Sequence, residues 1–202
     1  MSQVFNNKLL TLLDTTRICN LIKYADRANR TLDSNAVFCE FGTFRGGSGE
    51  LLALTCPNRP LYLIDSFQGL PPTNSEKGDS HFQGEFADTS HLDVAGYFHM
   101  MYQNVRVIKG FSPSVFEFFD EKTKFIYLHI DVDIYDSCRH AAEFFWPRLM
   151  EGGYMLWDDY GFTSCRGAKN YIDEFTAELE CKFKGELIDP DGVSSKQYLI
   201  IK

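Results

Sequence analysis

Short apolar runs recur along this chain at intervals that suit strands alternating with helices. Six of them read as strands: "AVFCEF" (36–41), "LYLID" (61–65), "VRVIKG" (105–110), "FIYLHID" (125–131), "YMLWD" (154–158) and "KQYLIIK" (196–202). Between them, helical spacing begins near Gly47 and recurs near 91–102. It follows Ser112–Pro113 in "SPSVFEFFDE", runs through "DSCRHAAEFFWPRL" with Asp136 or Ser137 as N-cap, and returns around Gly167–Leu179. The first 30 or so residues also read as helix, with Leu9, Leu10, Leu12, Leu13, Ile18, Leu21 and Ile22 on one stripe, until "RTLDSN" breaks it. The strands are continuously apolar rather than alternating, which is the pattern of strands buried on both faces. An α/β fold follows, a mostly parallel sheet covered by helices on both sides.

Against that pattern, two strands end in acid. "FIYLHIDVDIYDS" delivers Asp131, Asp133 and Asp136, and "GGYMLWDDYG" delivers Asp158 and Asp159. Glu40 and Asp65 end two more. In open α/β sheets ligands bind beyond the carboxyl ends of the strands, so the acids gather at the edge where a site is expected. Two like charges ~4 Å apart repel by roughly 4 kcal/mol at an effective dielectric near 20, so such a cluster calls for a cation or shared protons. All-oxygen ligands select a hard ion, Mg²⁺ before Zn²⁺. "EFGTFRGGSGELLA" places Gly42, Gly46, Gly47 and Gly49 in the first strand-to-helix turn, where the backbone approaches a ligand closely. It matches neither dinucleotide fingerprint nor P-loop. Asp65, 25 positions after Glu40, stands where an α/β nucleoside site places a carboxylate for ribose hydroxyls.

Composition narrows the classes. A chain of 202 residues suits one domain with a full core. A net charge of −8 with no Lys/Arg-rich stretch argues against nucleic acid and against an anionic membrane surface. No run reaches the ~20 apolar residues of a membrane span, and the N-terminus lacks the apolar core of a signal peptide. The six cysteines include no CxxC pair, so reduced thiols and a cytoplasmic location are expected.

The motifs "EFGTFRGGS", "YLIDSFQGLP", "VRVIKG", "HIDVDIYDS", "GGYMLWDDY" and "CRGAKNYIDEF" occur in the order and spacing of a known family. From about Val37 to Phe175 the chain resembles the macrocin-type (TylF/MycF/NovP-like) O-methyltransferases, which use S-adenosylmethionine and Mg²⁺ to methylate sugar hydroxyls of natural products. The resemblance implies a Rossmann-like class I methyltransferase, with a mostly parallel seven-stranded sheet over 36–202 behind an N-terminal helical segment over 1–35. It implies that Glu40, Phe41, Gly42, Thr43, Gly46, Gly47 and Ser48, with Asp65 and Ser66, hold the cofactor's methionine and ribose parts, and that Gly110 and Phe111 lie by the adenine. Asp131, Asp158 and Asp159 would ligate Mg²⁺ and Asp133 would be the general base, with the roles of Asp131 and Asp133 open to exchange. The family usually carries a longer N-terminal segment over the active site than the 35 residues here. The acceptor would be a small molecule or glycan, and the protein a homo-oligomer.

Some readings stay open. The long loop 66–90 is a lid or a substrate wall. From it His81 is a candidate catalytic residue, and His81 and His91 are both placed to reach substrate. His129 reads as a satisfied core histidine and Asp136 as a helix cap. Phe116, Phe118, Phe119, Phe144, Phe145 and Trp146 read as core; Trp157 and Tyr160 line the pocket or pack in the core. Rival functions are a catechol-type methyltransferase, a metal-dependent phosphoesterase using the acids, and a cofactor-binding subunit without activity.

Overall fold

The computed structural model describes residues 10–30 and 36–202. Helix α1 (Thr15–Asn29) starts at Asp14, whose carboxylate accepts the Arg17 N–H at 3.0 Å and so satisfies one orphan donor of the first turn. The helix is shorter than its apolar pattern suggests. Residues 10–14 are not helical, Leu10 and Leu12 are exposed, and Leu9 and the break at 31–35 lie outside the described residues. The buried face is Arg17, Leu21, Tyr24, Ala25 and Ala28. It joins one core cluster with Phe38, Leu63 and Tyr127 of the sheet.

That sheet has seven strands in the order β3-β2-β1-β4-β5-β7-β6. β1 (Val37–Phe41), β2 (Leu61–Asp65), β3 (Val105–Lys109), β4 (Phe125–Ile130) and β5 (Leu149–Trp157) run parallel. β7 (Ser194–Ile201) is antiparallel to β5, and β6 (Phe183–Ile188) pairs with β7 alone. The sequence pattern misses β6, because its residues are mostly exposed and it is held by backbone pairing at an edge. It also starts β5 five residues late.

Helices cover both faces. α1, α2 (Gly47–Thr55) and α3 (His91–Met101) supply one core cluster; α4 (Tyr135–Phe145) and α5 (Arg166–Thr176) supply the other. Phe116 and Phe144 stack at 4.5 Å beside fully buried Phe145. Phe118 is 55% exposed, against expectation, because "SPSVFEFFDE" forms only a 3₁₀ turn over Ser114–Phe118. No helix among the described residues is long and apolar enough to cross a membrane, and all six cysteines are free thiols.

The cap of α4 is a further correction. Its N-cap is Ile134, which offers no side-chain acceptor; Asp136 sits within the first turn and pairs with Arg139. The acceptor comes instead from the long loop: Asp79 Oδ1 takes the Tyr135 N–H at 2.9 Å, while its Oδ2 takes the Asn74 N–H at 2.8 Å. The loop is therefore stapled to the domain through a buried carboxylate. The Thr89 hydroxyl on the Phe44 carbonyl adds to the hold, and the Leu70 N–H on the Glu85 carbonyl closes the loop on itself.

Candidate active site

Register brings the site together. Phe41 aligns with Ile64 and Ile130, and Ile130 with Trp157, so the next residues of β1, β2, β4 and β5 — Gly42, Asp65, Asp131 and Asp158 — emerge side by side. The order of the sheet reverses between β1 and β4, the switch point at which such sheets bind ligands. A cavity of about 250 Å³ opens there.

One end of the cavity is built from backbone. Gly42 has φ +96°, and a Cβ on it would lie 1.6 Å from the Asp131 carbonyl oxygen. Only glycine allows β1 and β4 to end this close together. A Cβ on Gly47 would meet the Leu10–Thr11 backbone at 2.5 Å, so the chain before α1 lies directly on the turn. Phe41, Gly42, Thr43, Ser48, Asp65, Ser66, Gly110 and Phe111 all line the cavity. Asp65 accepts N–H groups from Phe44 at 2.8 Å and Phe67 at 2.7 Å. Burial raises its carboxyl, opposed by those two donors. Each oxygen accepts one backbone donor and keeps a second lone pair, which fits a diol such as ribose. Ser66 caps its own turn, donating to the Gly69 carbonyl at 2.7 Å.

Three residues of the predicted cofactor set do not reach the cavity wall. Gly46 and Gly47 shape the turn. Glu40 is fully buried beneath it, accepting from Thr43 Oγ1 at 2.6 Å and facing His129 Nδ1 at 2.9 Å.

The other end of the cavity is built from charge. Oxygens of Asp131, Asp158 and Asp159 lie within 4.8 Å of one another. Burial and repulsion from Asp158, Asp159 and Asp133 hold the Asp131 carboxyl well above the usual range. Burial and Asp159 do the same to Asp133. Asp159 is pushed up to about 6 by burial and Asp158, against the pull of the Asp133 N–H, Arg17 and His129. Burial would raise Asp158 as well, but His129, Arg17 and Gln197 outweigh it and bring it below the usual value. Asp131, Asp133 and Asp159 thus carry more negative charge than their neighbours relieve, whereas Asp158 is already compensated, and a divalent cation bound by oxygen fits that surplus.

Part of the relief comes from residues that sequence reasoning overlooked. Arg17 Nη1 pairs with Asp158 Oδ2, and Arg17 Nη2 donates to the Leu12 carbonyl at 2.6 Å. Gln197 Nε2 donates to Asp158 Oδ1 at 2.7 Å, and Asn20 donates to Gln197 at 3.0 Å. Helix α1 thus ties directly into the acid cluster; nothing about a lone arginine in an amphipathic helix signals this. His129 is buried as expected but only half satisfied: Nδ1 meets Glu40, while Nε2 faces Asp158 Oδ1 at 3.6 Å, beyond hydrogen-bond length. Burial favours its neutral form, yet Asp158 and Glu40 outweigh it and lift the imidazole to about 9.

Asp133 stands on the cavity wall in the left-handed region at φ 60°, with its N–H donating to Asp159 Oδ2 at 2.9 Å. A non-glycine residue held there at a strand end is typical of functional sites. His81 Nε2 lies 3.9 Å from Asp133 Oδ1, and its Nδ1 lies 3.0 Å from Glu85 Oε2. The long loop therefore serves as a wall, contributing Gly69, Leu70, Pro71, His81 and Phe86. His91 packs on Phe67 instead. Trp157 is core, Tyr160 packs on Tyr198, and Phe162 takes the wall position.

The strand order, the switch-point cavity and the glycine turn define a Rossmann-like class I methyltransferase fold. The family model described as macrocin-O-methyltransferase (TylF) matches residues 8–197, and the chain belongs to that family. Demethyldecarbamoylnovobiocin O-methyltransferase of Streptomyces niveus is 28% identical over 168 residues, covering 76% of this chain and 63% of the relative. The chain thus spans under two thirds of that relative's length. Mycinamicin III 3''-O-methyltransferase of Micromonospora griseorubida is 28% identical over 175 residues, covering 78% and 68%. The solved structure of the O-methyltransferase NovP superposes with a TM-score of 0.66 at 21% identity, over 92% of this chain and 79% of that one.

Proposed function

We propose that this protein is an S-adenosylmethionine- and Mg²⁺-dependent O-methyltransferase acting on a sugar hydroxyl of a glycoside or polysaccharide. The observation that carries this reading is a cavity lined at once by a nucleoside-type carboxylate, Asp65, and by Asp131, Asp133 and Asp159, with Asp158 buried behind them in the same acid cluster. Family membership and the relatives named for methylating novobiocin- and mycinamicin-type molecules support it.

In this reading Asp65 accepts the ribose hydroxyls. The turn from Gly42 to Ser48 holds the methionine end, and Gly110 and Phe111 flank the adenine. Asp131, Asp158 and Asp159 hold Mg²⁺. When bound, the cofactor supplies the sulfonium methyl and Mg²⁺ polarises the acceptor hydroxyl, a poor nucleophile near neutral pH. Asp133, on the cavity wall beside Asp159, takes the hydroxyl proton as attack proceeds. Leu10 to Leu13 and Phe162 line the cavity as well.

Calorimetric titration of S-adenosylmethionine into the full chain, with Mg²⁺ and with EDTA, tests the cofactor. A panel of glycosides and catechols with Mg²⁺ then tests the acceptor. Micromolar cofactor binding and sugar-selective methyl transfer are expected. No cofactor binding in either condition would overturn the reading, and phosphate release without S-adenosylmethionine would replace it with a phosphoesterase.

A further inference from the structure

Beside the three aspartates lies a second ligand set of different chemistry. His81 Nε2, Cys165 Sγ and Asp133 Oδ1 converge from the long loop, the turn before α5 and the end of β4. Their separations are 3.5 Å for His81–Cys165, 3.4 Å for Cys165–Asp133 and 3.9 Å for His81–Asp133. A tetrahedral ion with usual Zn–S, Zn–N and Zn–O lengths needs about 3.6 Å for both pairs containing sulfur and about 3.4 Å for nitrogen to oxygen. Two of the three distances already match within ~0.2 Å, and a shift of ~0.5 Å in the His81 ring completes the third. All three residues line the cavity, which leaves the fourth position for water. The far ring nitrogen of His81 faces Glu85 Oε2 at 3.0 Å, the carboxylate partner that orients a metal-binding histidine.

We propose that His81, Asp133 and Cys165 form a second metal site, selective for a borderline-soft divalent cation of the Zn²⁺ or Co²⁺ type, distinct from the all-oxygen site of Asp131, Asp158 and Asp159. The imidazole and thiolate choose the ion: Mg²⁺ prefers oxygen, whereas Zn²⁺ and Co²⁺ accept nitrogen and sulfur. As the S–metal bond forms, the Cys165 thiol gives its proton to solvent. Occupation also takes Asp133 out of proton transfer, so Zn²⁺ inhibits methyl transfer in the presence of saturating Mg²⁺. This last consequence, unlike the binding itself, rests on the function proposed above.

Cobalt is the probe. Co²⁺ is titrated into the EDTA-treated, desalted full chain with excess Mg²⁺ present. The expected result is a near-ultraviolet thiolate-to-cobalt charge-transfer band with intense tetrahedral visible bands. Cys165→Ser abolishes the charge-transfer band, while the double variant Cys19→Ser/Cys181→Ser retains it. His81→Ala, on the loop, weakens Co²⁺ binding, and Glu85→Gln weakens it by roughly 10-fold or more. Absence of the band in the wild type, or its survival in Cys165→Ser, overturns the site. Because the readout is spectroscopic, an inactive enzyme with an intact band would count against the proposed function and leave the metal site standing.

Discussion

The two ends of the one cavity solve the problem of holding carboxylates in opposite ways. At the nucleoside end, Asp65 receives the N–H groups of Phe44 and Phe67, so the backbone offsets much of the cost of its burial. At the acid end, Asp131, Asp133 and Asp159 lie together with their carboxyls pushed up, and cationic help is concentrated on Asp158 through Arg17 and His129. A site satisfied by fixed backbone donors is complete without its ligand. A site built from mutual repulsion is complete only when a cation or proton arrives.

Substitutions sharpen this contrast. The largest effect is expected from Asp133→Asn, which should lower kcat by about 10²- to 10⁴-fold, the range for a lost general base, with S-adenosylmethionine affinity within a few fold. Steady-state kinetics beside calorimetry checks it, and near-normal turnover would move the base elsewhere. Arg17→Ala comes next. Removing one partner of a buried pair costs about 3–5 kcal/mol, so urea unfolding in EDTA should show a loss of that order, and Mg²⁺ should restore more stability to this variant than to the wild type. A loss under ~1 kcal/mol would mean that the pair with Asp158 is dispensable.

Asp65→Ala should weaken S-adenosylmethionine binding about 10- to 100-fold, as expected for hydrogen bonds to a charged group, while leaving the Mg²⁺ response of stability unchanged. Unaltered affinity would remove the ribose assignment. The smallest effect carries an unusual sign. Asp159→Asn should raise the stability of the EDTA-treated protein, by on the order of 1 kcal/mol, because a carboxyl lifted to about 6 by its neighbours destabilises the fold when ionised at pH 7. The same variant should lose Mg²⁺-dependent methyl transfer. Destabilisation in EDTA would contradict the picture of surplus charge at this end.

Much of this architecture is legible in the sequence. The central strands β1 and β4 stand out most clearly as apolar runs, because a strand buried on both faces leaves no choice of residue. The acids at the ends of β4 and β5 stood out because burial there has no use for charge. The edge strand β6 left no such mark, since Phe183–Ile188 is mostly exposed and its stability comes from pairing with β7. The cap of α4 was sought next to the helix in Asp136 or Ser137, yet it lies 56 residues away in Asp79. The family motif sets Glu40 toward the cofactor, and the fold encloses it with Thr43 and His129. Arg17 and Gln197 carry no local signal, and Cys165, although it opens the motif "CRGAKNYIDEF", carries none of its contacts.

What the sequence determined by itself is therefore the set of strands that must be buried and the carboxylates that burial alone cannot explain. Both are local properties, readable as the mismatch between a residue's polarity and its neighbours' pattern. Only the tertiary structure decided which charges answer one another: Arg17 with Asp158 across 141 positions, Glu40 with His129 across 89, and Cys165 with Asp133 across 32. Electrostatic energy depends on distance and desolvation in three dimensions, and strand order and register set both.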